Sequence, residues 1–167
     1  MERRARITPE RLQEVLHYDP NTGEFRWRQR LSRASQIDAV AGTVSLRYRC
    51  IRLDGRNYTA HQLAWLYVTG EWPSLLIDHR DGDPTNNRWD NLRLATRSEN
   101  SANRRRNRNN KSGFKGVIWD RRHGGWLARI GKNRRTYYLG RYATAEEAHA
   151  AYAAKARELF GDFARTE

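Results

Sequence analysis

The pattern of apolar and polar positions predicts short, alternating elements at the start of the chain. A helix is predicted over residues 9–17, where a Thr-Pro pair precedes an apolar stripe. Aromatic and basic residues then alternate over residues 25–28, as they do in strands. An Asp-Gly pair between residues 48–53 and 58–60 predicts a β-hairpin.

The middle of the chain predicts a helix, a hairpin and a second helix. Residues 61–68 form an apolar run that closes at Gly70. The elements predicted after it are a strand at 75–78, a polar loop at 81–90, a strand at 91–96 and a helix from Thr96 or Ser98 to about residue 107. Residues 104–112 contain no apolar side chain, which indicates a boundary between domains.

The last third predicts a small sheet followed by a helix. Three candidate strands lie at residues 114–119, 126–131 and 136–142, with turn residues between them. Thr144 and Glu147 have the spacing of a capping box, and an apolar face follows it. The alanines of that face would let the helix lie close against a three-stranded sheet.

Composition favours two small cores and an anionic partner. Of 167 residues, 38% are hydrophobic and 31% are charged, so one large core is not expected. The net charge of +13 could serve membrane attachment or solubility, but aromatic residues interleave with the basic ones. That combination favours nucleic acid, here double-stranded DNA.

The single cysteine and the lack of long apolar runs restrict the compartment. Cys50 has no partner for a disulfide within the chain, and cysteine-rich zinc sites are excluded. The sequence contains neither a signal-peptide run nor the roughly 20 apolar residues of a membrane span. We therefore expect a cytoplasmic protein of a bacterial or phage-infected cell, with no membrane partner.

Residues 77–106 contain an Asp-His pair, a later Asn and several arginines. Side chains of these types can together hydrolyse a phosphodiester bond. A carboxylate and an amide oxygen can hold Mg²⁺, an imidazole can activate water and arginines can hold a polyanion. An Asp-His pair alone more often only bonds a turn. An EF-hand fails because Asn86 replaces its Gly and Leu92 its Glu. Four polar residues of the loop at 81–90 are interpreted as loop formers rather than metal ligands: Asp81, Asp83, Asn86 and Asn87.

This segment resembles the HNH endonucleases, in the branch found among phage and intron-borne homing nucleases. The resemblance covers about residues 59–104 and implies a ββα-metal unit. It implies that Asp78 and Asn100 ligate one Mg²⁺ or Mn²⁺ per active site, and that His79 is the general base. It also implies that Asn91 bonds across the hairpin and holds the His79 loop.

Asn100 stands where many relatives carry His, so the motif is of H-N-N type. Oxygen in place of imidazole nitrogen favours Mg²⁺ or Mn²⁺ over Zn²⁺. Asn103, one helical turn beyond, could support the metal ligands or contact a phosphate. His61, on its apolar helix, is interpreted as structural.

Residues 113–164 resemble the APETALA-two/ethylene-response-factor (ERF) DNA-binding domain, in which a three-stranded sheet lies in the major groove. Base specificity cannot be transferred, because Ile118 and Arg129 differ from common residues of that family. Each of the aromatic candidates could instead belong to the core. The residues predicted to bind DNA are Arg104, Arg105, Arg106, Lys115, Trp119, Arg121, Trp126, Arg129 and Arg135.

The sequence thus predicts an α+β protein in four segments. Residues 1–58 would support the nuclease, residues 59–107 would be the ββα-metal nuclease, residues 108–112 a basic linker, and residues 113–167 the ERF-like domain. The predicted function is metal-dependent DNA cleavage of homing or mobile-element type by a monomer or weak dimer. The alternatives are a catalytically inactive DNA-binding regulator and, less in keeping with the motif, an RNA-binding protein.

Overall fold

The computed structural model describes residues 6–33 and 35–167, and within these residues the chain forms four helices and ten strands. The chain packs as two compact units, Met1–Leu94 and Ala95–Glu167. The mixed α and β composition with small antiparallel sheets confirms the coarse fold class. The functional segments drawn from the sequence stay predictions. None of the helices in the described part of the chain is long and apolar enough to cross a membrane.

The first unit contains two helices and three small sheets. Its helices are α1 (Pro9–Val15) and α2 (Ala60–Thr69). Its strands are β1 (Leu16–Asp19), β2 (Glu24–Trp27), β3 (Thr43–Ser45), β4 (Tyr48–Leu53), β5 (Arg56–Thr59), β6 (Leu76–His79) and β7 (Leu92–Ala95), the last of which reaches one residue beyond the unit. The sheets are β1–β2, β3–β4–β5 and β6–β7.

The predicted extension of the first helix to His17 is wrong. Helix α1 ends at Val15, and Leu16 and His17 pair with Trp27 and Arg26 in an antiparallel hairpin. Along β1, buried and exposed side chains alternate, which is the strand period rather than the helix period. Residues 20–23 form the turn of this hairpin and include Pro20, Asn21 and Gly23, which are residue types that favour turns.

The core of the first unit joins the hairpin β1–β2 to both helices. Its largest buried side chains are Leu12, Leu16, Tyr18, Phe25, Ile51, Leu53, Leu63 and Leu66. The Tyr18 and Phe25 ring centroids are 4.8 Å apart. Because apolar burial is the main stabilising term in folding, this core fixes the hairpin from which the site is supported.

The second unit is a sheet of three strands covered by a long helix. Its helices are α3 (Arg97–Ala102) and α4 (Ala145–Phe160), and its strands are β8 (Val117–Trp119), β9 (Trp126–Lys132) and β10 (Arg135–Tyr142). The strands are antiparallel in the order β10–β9–β8. Ala148, Tyr152 and Ala156 of α4 are buried, and the capping box of Thr144 and Glu147 forms as predicted.

Two predicted boundaries in the second unit are wrong. Helix α3 ends at Ala102 rather than near residue 107, because its terminal carbonyl accepts hydrogen bonds from the Lys115 ammonium and the Arg165 N–H. Strand β8 begins at Val117 rather than residue 114. Gly116 precedes it with φ +75°, and a Cβ there would meet the Tyr152 ring at 2.0 Å.

Candidate active site

Asp78 is held by a buried ion pair at the end of β6. Its Oδ2 accepts a hydrogen bond of 2.9 Å from Nε of Arg93 on β7, and both side chains are almost fully buried. A buried charge needs a compensating partner, and Arg93 supplies one. The pair therefore fixes the position of the Asp78 carboxylate.

His79 is oriented by an amide that follows it by eight residues. The Asn87 amide nitrogen donates to the carbonyl of Thr85 at 3.0 Å, so its Oδ1 faces the His79 ring. That oxygen lies 3.3 Å from His79 Nε2 and accepts its N–H, which makes Nδ1 the basic nitrogen. Burial lowers the pKa of His79, although the bond to Asn87 opposes this shift.

The loop that follows His79 is tied together by the Asn91 side chain. Its Oδ1 accepts from the Asp81 N–H, and its Nδ2 donates to the Asp81 carboxylate and to the carbonyl of Asn86. The Asp81 carboxylate also accepts from Nδ2 of Asn86 at 2.7 Å. Asn91 is buried and lies across the loop, and its role in catalysis stays a prediction.

The hairpin β1–β2 supports the segment that carries Asn87. The buried Tyr18 hydroxyl donates to the carbonyl of Asn87 at 2.7 Å. Gly23 has φ +75°, and a Cβ at this position would approach the Arg88 nitrogen to 2.4 Å. Only glycine permits this close approach of two backbone segments. The N-terminal hairpin therefore positions the amide that orients His79.

A second imidazole packs against His79. The His61 and His79 ring centroids are 5.2 Å apart and nearly perpendicular, and the Tyr48 ring lies 5.2 Å from His61 and 6.4 Å from His79. The Thr59 hydroxyl donates to Gln62, so its oxygen accepts the Nε2–H of His61. Burial, assisted by His79, lowers the pKa of His61 to about 4, and His61 is therefore neutral at pH 7.

The donor atoms fit a sparsely ligated divalent cation. In the described part of the chain, no three His, Cys, Asp or Glu side chains converge on one point. A site built entirely from such ligands does not fit. The Asp78 carboxylate provides the hard oxygen donor that Mg²⁺ prefers, and Mg²⁺ commonly keeps waters and phosphate as its other ligands.

The remaining predicted nuclease residues lie in the second unit. Asn100 is on α3 and is half-buried. Asn103 caps the end of that helix, is buried, and its carbonyl accepts from Arg165. Residues 104–106 lie beyond α3 in non-helical, exposed backbone, so the predicted helix of arginines does not form. The ligand role of Asn100 stays a prediction.

The strand register places the residues predicted to contact DNA on different faces of the sheet in the second unit. Ala128 and Ile130 face α4, so the exposed Arg129 between them points to the opposite face, beside its cross-strand partner Tyr138. Trp126 has the parity of Ala128 and packs against the core. It pairs with Trp119, which is half-exposed at the end of the sheet.

Lys115 points inward, whereas the other two predicted contacts are exposed. Its ammonium donates to the carbonyls of Ala102, Arg104 and Arg165, and burial lowers its pKa to about 8. Arg121 and Arg135 are exposed. Binding of DNA by all of these residues stays a prediction, and Lys115 has its three donors engaged within the protein.

Comparisons with known proteins link the segment that carries this site to the HNH endonucleases. The HNH endonuclease family model matches residues 58–102. The chain is 35% identical over 106 residues to Protein 3.8 of Escherichia phage T7, covering 63% of this chain and 87% of that protein. It is 36% identical over 100 residues to a protein named as an HNH endonuclease from Acanthamoeba polyphaga mimivirus, covering 59% of this chain and 51% of that protein. No solved structure matches the chain.

These matches support a DNA-cleaving hydrolase that carries an HNH endonuclease domain over residues 58–102. Within that class, the chain belongs to the family of Protein 3.8 from phage T7. HNH nucleases generally depend on a divalent metal, and they act on DNA.

Sequence reasoning missed most of the residues that hold the site in place. The sequence predicts Asn87 only as a loop former, and it predicts no role for Arg93 or Tyr18. Only Asn87 had a usable signal, because a carboxamide in a short loop after a histidine can return to the imidazole. The other contacts depend on the packing of distant strands.

Proposed function

We propose that the chain is a metal-dependent HNH endonuclease of homing or mobile-element type, with His79 as general base and Asp78 as a ligand of the cation. The observation that carries this proposal is that the adjacent side chains of Asp78 and His79 are each held in one orientation. Arg93 holds the Asp78 carboxylate, and Asn87 holds the adjacent imidazole in one tautomer. The viral relatives support a mobile-element context.

In this proposal, His79 accepts the proton of the attacking water at Nδ1. Asn87 then stabilises the resulting imidazolium, because its amide oxygen accepts the Nε2–H in both protonation states. The buried Asn91 keeps the loop closed beside the imidazole. Each of these residues acts by position, so a small displacement of the loop would slow the reaction.

Asp78 would hold one Mg²⁺ or Mn²⁺, and Asn100 is the second protein ligand that the sequence predicts. The cation, when bound, stabilises the negative charge that develops on the phosphate and on the departing 3′ oxygen. Oxygen donors favour these ions over Zn²⁺. With one such site, a monomer would cut one strand in each binding event.

Cleavage should require a free divalent cation. Purified protein incubated with supercoiled plasmids and Mg²⁺ should convert them to nicked circles, and EDTA should abolish this conversion. Because the target is not known, the substrate should be a plasmid library that carries phage and host DNA, with the ends mapped by sequencing. Ca²⁺ at the same ionic strength controls for charge screening. Absence of metal-dependent nicking throughout the library would favour the inactive DNA-binding regulator.

We also propose that the sheet of the second unit helps to place the enzyme on DNA. Arg129 projects from the face opposite α4, and Tyr138 lies beside it. An exposed cation and an aromatic ring on one sheet face are suited to contacts with phosphates and bases. The exposed arginines 104–106 would add contacts to the backbone.

Arg129→Ala should weaken DNA binding and reduce its dependence on salt. Loss of one phosphate contact lowers the slope of log affinity against log salt by about 0.9. Electrophoretic mobility shifts at four NaCl concentrations would measure this slope. Arg157→Ala, an exposed arginine on α4, is the matched control and should leave it unchanged. An equal loss for both variants would show that only net charge matters.

A further inference from the structure

The hairpin β3–β4 carries a leucine in an unusual setting. Ser45 pairs with Tyr48, so Leu46 and Arg47 form the turn between the two strands. Leu46 is completely exposed, with a relative accessibility of 101%, and its φ is +57°. The Arg47 N–H bonds to the carbonyl of Ser45 at 2.7 Å and closes a γ-turn around Leu46. Positive φ normally selects glycine or asparagine.

Both properties of Leu46 are unfavourable in the isolated protein. A left-handed backbone strains a residue with a branched side chain, and full exposure leaves its apolar surface in water. Strained residues cluster at functional sites, where the strain is part of the function. Leu46 has the geometry of an apolar tip that is presented for contact.

A residue next to the tip of the same hairpin packs against the proposed general base, His79. Tyr48, two residues beyond Leu46, has its ring 6.4 Å from the ring of His79. The Cα atoms of Leu46 and Tyr48 can be at most about 7 Å apart, since they are two residues apart in the chain, and this is no more than about two base-pair steps of DNA. DNA that delivers a phosphate to His79 therefore passes close to the tip of the hairpin.

The charges around the tip match DNA. Arg47, next to Leu46, is exposed, and so is Arg52 on the Tyr48 face of β4. The whole chain carries a net charge of +13. An apolar side chain close to cations is the arrangement by which DNA-bending proteins insert a wedge between base pairs while holding the phosphates.

We propose that Leu46 is a wedge that enters the base stack beside the scissile phosphate and distorts the duplex during cleavage. This inference depends on the proposed approach of DNA to His79. Arg47 holds the adjacent backbone, and the γ-turn holds the leucine away from the sheet. Tyr48, which directly follows the turn, connects the tip of the hairpin to His79.

The test measures DNA distortion separately from cleavage. In a His79→Ala background, relaxed closed-circular plasmid is saturated with protein, treated with topoisomerase I, freed of protein and resolved into topoisomers. The parent should shift the linking number, and Leu46→Gly should lose most of this shift at equal occupancy, which mobility shifts would verify. Because glycine relieves the positive φ, the urea midpoint of Leu46→Gly should not fall below that of the parent.

Val44→Ala is the matched control, because Val44 is an exposed aliphatic residue on β3 of the same hairpin. It should keep the full shift. No shift by the parent, an unchanged shift in Leu46→Gly, or an equal loss in Val44→Ala would overturn the wedge. Failure of the unsubstituted chain to nick DNA would instead contradict the nuclease proposal, since the topoisomer assay needs no cleavage.

Discussion

His79→Ala is expected to lower the rate of metal-dependent nicking by at least about 100-fold, the lower end of what a positioned general base contributes. The imidazole is buried and bonded to Asn87, so alanine removes the base without changing the exposed arginines. DNA affinity should therefore stay close to that of the parent. Initial rates on supercoiled plasmid and mobility shifts in Ca²⁺ would measure the two quantities.

Added imidazole should restore part of the activity of His79→Ala, because the substitution leaves space for a small base next to the water. His17→Ala is the control, since His17 lies on β1 and is exposed. It should cleave like the parent. If His79→Ala lost affinity and rate together, and imidazole restored neither, His79 would be a structural residue of the loop.

The elements with strong local signals could be predicted from sequence. Helix α4 has a capping box at Thr144, and the hairpin β4–β5 has an Asp-Gly turn. Both formed as expected, because their determinants lie within a few residues of each other. The HNH motif can be recognised for the same reason, since all of its residues lie within a short stretch of the sequence.

The errors lie where distant residues decide the structure. Helix α3 stops at Ala102 because Lys115 and Arg165 bond its terminal carbonyl, and neither partner is close in sequence. Strand β3 has only exposed residues, so no alternation marks it. Its existence depends on pairing with β4. Local propensity cannot report contacts of this kind.

In the candidate site, too, the sequence predicts some features and not others. The identities of Asp78 and His79 follow from the motif, whereas their orientation follows from long-range packing. Tyr18 supports Asn87 across 69 residues of chain, and no periodicity connects the two. Arg93 alternates with apolar neighbours in a strand, where sequence alone would favour an exposed cation. Its burial became evident only once β6 and β7 were paired.

Arg93→Met is expected to lower the free energy of unfolding by about 3–5 kcal/mol, because breaking a buried ion pair strands the opposite charge. Methionine keeps the length and apolar surface of the side chain, so the cost comes mainly from the Asp78 carboxylate losing its guanidinium. Urea unfolding followed by tryptophan fluorescence would measure the change. Arg52→Met, an exposed arginine of the same unit, should stay within about 0.5 kcal/mol of the parent.

The double variant Asp78→Asn/Arg93→Met should be less destabilised than the sum of the two single changes, because it removes both charges together. The coupling between the two sites would then isolate the ion pair from the packing of Arg93. A loss below about 1 kcal/mol in Arg93→Met, or additive single changes, would mean that other contacts hold Asp78 in place. Cleavage by the double variant should remain absent even where stability is recovered, since the carboxylate proposed to hold the cation is gone.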